Sequence, residues 1–160
     1  MTPLYYCFDT IFDAKPSELF VWHGQQSSME KLIPKNQAKV TKYDELSSNN
    51  IIEFEIREFF GLIKMKWLAK IENVIINEEF TDIQIHGPFK HWRHRHRFIG
   101  LNNGECTKMR DEVSFLLHGG WFINVLFREL VLRKLEKLFQ FRHDVLKNEF
   151  SVSKYSLDKK

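Results

Sequence analysis

The chain has 160 residues, 43% of them hydrophobic, and 24 Lys and Arg against 21 Asp and Glu for a net charge of +3. That length suits one domain burying roughly 70% of its unfolded surface, and so mixed a charge implies no polyanionic partner, so no nucleic acid is assigned. No apolar run reaches the roughly 18 residues of a membrane span, and the opening MTPLYYCFDTIFDAK lacks the order of a signal peptide, so the sequence reads as cytoplasmic with no integral membrane segment.

Leu4 to Phe12 alternates and reads as a strand that opens a sheet. Pro16 at a helix start, with Leu19, Phe20, Trp22 and His23 at helical spacing before Gly24, gives a short helix. Ser27 offers a cap for a second one that Pro34 ends. Gln37 to Leu46 is a weak strand, and Ile51 to Phe59 is a clear half-buried one with Ile52, Phe54 and Ile56 on one face. After Gly61, Ile63, Met65, Trp67, Ala69 and Ile71 face one way and Lys64, Lys66, Lys70 and Glu72 the other, with Leu62 and Leu68 breaking the pattern.

The stretch from Glu78 to Leu117 reads as three strands of an antiparallel meander, turning at Gly87-Pro88-Phe89 and at Asn102-Asn103-Gly104. In its middle strand Trp92, His94, His96 and Phe98 share one face, and His91, Arg93, Arg95 and Arg97 the other. Gly119-Gly120 then precedes a helical run from Trp121 to about Phe150, whose stripe holds Val125, Leu132, Leu135, Leu138, Phe139, Val145 and Leu146, with Arg142 beside it. Trp121 and Phe122 read either as a mobile gate or, preferably, as ordinary helix-start packing. The order strand, two short helices, six strands and one long helix predicts a curved antiparallel sheet gripping the terminal helix. Residues 1–150 form that domain and 151–160 a polar tail. Cys7 and Cys106 read as reduced thiols, without the spacing of a zinc or redox pair.

Phe80-Thr81-Asp82-Ile83-Gln84, Gly87-Pro88-Phe89, Trp92 to Phe98, Thr107 to Val113 and Phe139-Gln140-Phe141-Arg142 resemble a bacterial branch of the START-like, or SRPBCC, helix-grip superfamily. That superfamily includes lipid-transfer START domains, birch-pollen-allergen proteins, and polyketide cyclases and dehydratases. The resemblance spans nearly the whole chain. It implies an α+β helix-grip fold of about seven strands, but carriers, cyclases and interaction modules share that scaffold.

If the Pro88 turn pairs residues whose numbers sum to about 176 and the Asn103 turn those that sum to about 205, Asp82, His94 and Asp111 form one row across three strands. Gln84, Trp92 and Val113 then form the next row, and Phe80, His96 and Met109 the row on the other side. A His between two carboxylates has its charged form favoured. The row reads as a mutually satisfied polar layer, or as a general acid/base with His94 as base and Asp82 or Asp111 orienting it. A metal held by His94, His96, Asp82 and Asp111 is a third reading. Nothing else completes a ligand pattern, so no metal and no cofactor is assigned.

The fifteen Phe, four Trp and four Tyr fit either an aromatic-walled cavity or a Phe-rich core. The preferred function is binding of a small hydrophobic or amphipathic molecule between sheet and helix. Its candidate contacts are Phe54, Ile56, Met65, Trp67, Gln84, Trp92, His96, Phe98, Val113, Leu135, Phe139 and Arg142. Arg142 serves an acidic head group or, preferably, Asp82 or Asp111. The alternatives are a cyclase- or dehydratase-like enzyme centred on His94, and an interaction module with a filled core.

Overall fold

A computed structural model describes residues 2–58 and 63–151. Strand β1 (Leu4–Phe12) is followed by helices α1 (Pro16–His23) and α2 (Gln26–Lys31). Strands β2 (Ala38–Lys42), β3 (Ile51–Glu58), β4 (Ile63–Ile75), β5 (Glu79–His86), β6 (Phe89–Leu101) and β7 (Cys106–Leu117) come next, and helix α3 (Gly120–Glu149) closes the fold. The strands make one antiparallel sheet in the order β1-β7-β6-β5-β4-β3-β2. This is the expected α+β helix-grip architecture. Phe59, Gly61, Leu62 and the tail from 152 onward lie outside the described residues. No helix among the described residues is long and apolar enough to cross a membrane.

The expected Ser27 cap is corrected, because α2 starts two residues earlier: Gln25 is its N-cap and makes no side-chain capping bond. The weak second strand is confined to its first residues, Ala38 to Lys42. Leu68, which broke the alternation of β4, sits at a register shift against β5, where Leu68 faces His86 and Ala69 faces Gln84. A bulge inserts one residue and resets which side chains point inward.

Strand pairing decides which side chains meet. Between β5 and β6 the register is the one the Pro88 turn dictates, with Asp82 opposite His94 and Phe80 opposite His96. Between β6 and β7 it is two residues further along, with Trp92 opposite Phe115, His94 opposite Val113, and His96 opposite Asp111. The expected row Asp82, His94, Asp111 is therefore corrected, as are its neighbours. The cause is the turn: Leu101 pairs Cys106 across four loop residues, of which Asn102, Asn103 and Gly104 all take left-handed backbone. A shift of two keeps every side chain on its face, so Asp111 stays inside but moves one place along.

Three apolar clusters fill the interior. Phe12, Leu19, Phe20, Phe80, Phe98, Met109 and Leu146 pack where α1 and the end of α3 close one end of the sheet. Trp92, Val113, Phe115, Leu135 and Phe139 pack the middle of α3 on β6 and β7. Tyr43, Ile52 and Ile71 form the third, with Phe54 against it. On the outer face the predicted basic row is interleaved with acids: Glu79 pairs with Arg95 and Arg97, Glu112 with Arg95, Arg97 and Arg110, and Asp9 with Arg110 and Lys108.

The stripe of α3 is corrected at its start. Val125 is exposed, as are Trp121 (69%) and Phe122 (66%), so these residues do not pack as a helix start should. Gly119 and Gly120 both take left-handed φ, 93° and 77°, which β-carbons disfavour. Asn124, buried, pins the turn: its Oδ1 accepts from the Leu117 amide at 2.8 Å, and its Nδ2 donates to the carbonyls of Leu117 and Gly120.

Candidate functional site

Alternation along β6 puts His94 and His96 on the inner face, β5 brings Asp82 from one side and β7 brings Asp111 from the other. His94, 2% exposed, has Nδ1 3.2 Å from Asp82 Oδ2 and donates from Nε2 to Asp111 Oδ1 at 2.9 Å. His96 sits beside it, ring centroids 3.8 Å apart. Its Nε2 is 3.5 Å from Asp82 Oδ2 and its Nδ1 2.9 Å from Asp111 Oδ1. The latter contact is short but off the line of a hydrogen bond, and this buried nitrogen has no hydrogen-bond partner. The three expected residues are thus brought together despite the register shift, by diagonal reach rather than in one row.

The structure adds His143, absent from the sequence reading. It lies fully buried on α3, with Nε2 2.8 Å from Asp111 Oδ2 and Nδ1 2.6 Å from Thr10 Oγ1. Its position four residues after Phe139 and three before Leu146 is the stripe spacing, so a signal existed. Trp92 closes the other end, its Nε1 donating to Asp82 Oδ1 at 3.3 Å. Phe80 stacks on His96 at 4.2 Å, and Phe139 meets His94 edge-on at 5.1 Å.

Burial works against every charge here, and the cluster answers it internally. Asp82 is held below the usual carboxylate range because His94 and His96 outweigh its desolvation. Asp111 is held well below it, against desolvation, by His143, His94 and His96. His94 is pushed up: burial lowers its pKa, but Asp82 and Asp111 together more than reverse that. His23, whose Nδ1 donates to the Leu19 carbonyl at 2.7 Å, goes the other way, pushed down to about 3 by burial and by nearby His96. Its Nε2 is buried and unpartnered.

The other candidate contacts divide. Trp67, Trp92, Val113, Leu135 and Phe139 do share one cluster, with Trp67 and Trp92 edge-to-face at 5.0 Å. Phe98 instead packs beneath α1 and Phe54 against Ile52 and Ile71. Ile56 and Met65 face each other across β3 and β4, both half-buried. Gln84 braces the β5–β6 turn, bonding the carbonyl and the amide of Phe89 at 2.6 and 3.2 Å. Arg142, half-buried, donates to the Leu32 carbonyl at 3.3 Å and lies over the Phe139 ring. Burial lowers its pKa against the pull of Asp111 and Asp82. Two surface hollows of about 290 and 390 Å³ lie elsewhere, beside α2 and β2 and on the outer face of β1 and β7.

No protein-family model matches the chain, and no curated protein matches it. Solved structures do. Protein CV1439 from Chromobacterium violaceum superposes with a TM-score of 0.66 at 11% identity, over 90% of this chain and 95% of that one. Ara h 8.0201 gives 0.60 at 13% identity, over 91% and 99%. The di-domain ARO/CYC StfQ of the steffimycin biosynthetic pathway gives 0.72 at 9% identity, over 92% of this chain and 50% of that one. At such identities the likeness establishes the helix-grip fold and nothing finer.

Proposed function

We propose that the protein binds a small amphipathic molecule between the concave sheet and α3, its apolar part against Trp67, Trp92 and Phe139 and its polar end toward Asp82 and His96. The observation that carries this reading is the Trp67 indole. Its Nε1 is buried with no partner, beside an aromatic wall of Phe89 and Trp92 that leads to Asp82. An unsatisfied buried donor costs about 1–3 kcal/mol, a cost that an acceptor on a bound molecule removes. Helix-grip neighbours that include an ARO/CYC protein lend the reading weight by analogy. The acid/base alternative draws less support, because Asp82 and Asp111 already face both nitrogens of His94.

Native mass spectrometry of the purified chain beside a denatured control, followed by displacement of a fluorescent fatty-acid probe, tests this. A retained or displaceable molecule is expected, with affinity falling roughly 5- to 10-fold in Trp67→Phe, the loss of one hydrogen bond of about 1 kcal/mol. A chain that retains nothing and does not bind the probe overturns it in favour of a filled core.

A further inference from the structure

The donor atoms that gather at Asp82 have the spacing of a metal centre. His94 Nδ1 and His96 Nε2 lie 3.2 and 3.5 Å from Asp82 Oδ2, and one donor atom from each of the three residues lies within 4.8 Å of the others. Two ligands held about 2.0–2.1 Å from a zinc ion at a tetrahedral angle stand roughly 3.3 Å apart. The two measured separations fall on either side of that value. At Asp82 the contact aligned as a hydrogen bond is the Trp92 indole's, on the other oxygen. The two imidazole nitrogens approach Oδ2 from the neighbouring strand.

The outer layer has the matching form. A metal-ligating imidazole usually turns its far nitrogen to a carboxylate, which fixes the ring and leaves the near nitrogen's lone pair for the ion. Here His94 Nε2 and His96 Nδ1 both stand 2.9 Å from the same oxygen, Asp111 Oδ1. Asp111 is held in turn by His143, and His143 by Thr10. With His94 Nε2 donating to Asp111, the His94 Nδ1 lone pair and the Asp82 carboxylate face one another, with His96 Nε2 beside them.

We propose that Asp82 Oδ2, His94 Nδ1 and His96 Nε2 bind a divalent transition-metal ion, with zinc the best fit and Asp111 the positioning carboxylate. Two imidazoles and one carboxylate leave an open coordination position. Asp82, at 17% the most exposed of the three side chains, marks the side from which water or a ligand oxygen arrives. His23, whose ring lies 6.1 Å from that of His96, adds an unpaired acceptor nearby. This inference goes beyond the binding of an amphipathic molecule and stands without it, because metal uptake is read on the protein alone.

The test uses the full chain stripped with chelator. Stoichiometric uptake of Co²⁺ is expected, with the intense visible absorption of a four- or five-coordinate ion, displaced by Zn²⁺. Imidazole ¹⁵N spectra of the native chain with Zn²⁺ should move His94 Nδ1 and His96 Nε2 selectively, a readout that needs no variant. Asp82→Asn should abolish uptake, and Asp111→Asn should weaken it roughly 10- to 100-fold. No uptake, undiminished uptake by Asp82→Asn, or ¹⁵N shifts confined to His86, His91 and His118 would overturn the proposal.

Discussion

Replacing Asp111 by Asn changes one oxygen to nitrogen and removes the charge that three imidazoles share. Asp111 is 1% exposed, accepts from His94 at 2.9 Å and from His143 at 2.8 Å, and lies 2.9 Å from His96 Nδ1. Were it one neutral hydrogen bond, its loss would cost about 1 kcal/mol. Breaking a buried charge network by removing one partner costs about 3–5 kcal/mol, since the remaining charge is left uncompensated where water cannot reach. In a domain of this size each kcal/mol moves Tm by about 2–4 °C, so the variant should melt roughly 6–20 °C below the parent. Circular-dichroism melts at pH 6.5, with chelator present to remove any metal contribution, provide the comparison. Asp82→Asn should lose less, because the Asp82 side chain is 17% exposed and water can take over part of its role. A fall of under about 3 °C for Asp111→Asn would refute the claim that its charge organises the cluster.

Stability should peak near pH 6.5 and fall on both sides. The raised pKa of His94 stabilises the fold fully below the unfolded value of about 6.5, and this is lost as pH rises through the folded value. On the acid side His23 is held neutral down to about 3 and the unfolded chain gains its proton first. The depressed Asp82 and Asp111 add a second loss below about pH 4 as they protonate. A Tm flat from pH 6 to 9 would contradict the His94 assignment, and His23→Gln should flatten the upper acid limb. Asn124→Ala, which removes three hydrogen bonds from a buried junction, should cost about 2–3 kcal/mol in urea denaturation. A cost within 0.5 kcal/mol, the range of a surface substitution, would mean that the helix start does not depend on it.

The facing of the site was legible in the sequence, and its register was not. Alternation from Trp92 to Phe98 states which side chains point inward, and the short Pro88 turn leaves one pairing of β5 with β6. The Asn102-Asn103-Gly104 turn admits either a two- or a four-residue loop, and both put Asp111 on the same face. Only the turn's backbone, with three successive left-handed residues, decides between them. His143 was legible as a stripe position yet passed unread, because helical spacing names the buried face and not which polar residue on it finds a partner. The exposure of Val125 and Trp121 could not be read at all, since periodicity does not say where the sheet beneath a helix ends.

Strand order also sets a timetable. β1 is made first, but its sheet neighbour is β7, made after every other strand. At about 5–20 residues per second the intervening stretch of roughly 100 residues takes on the order of 5–20 s to synthesise. During that interval β2 to β6 can pair in sequence while β1 has no strand to join. Thr10 on β1 meets His143 only after α3 follows. The polar cluster is therefore among the last parts of the molecule to assemble, and a nascent chain halted before His143 carries Asp111 without the imidazole that ties it to the helix.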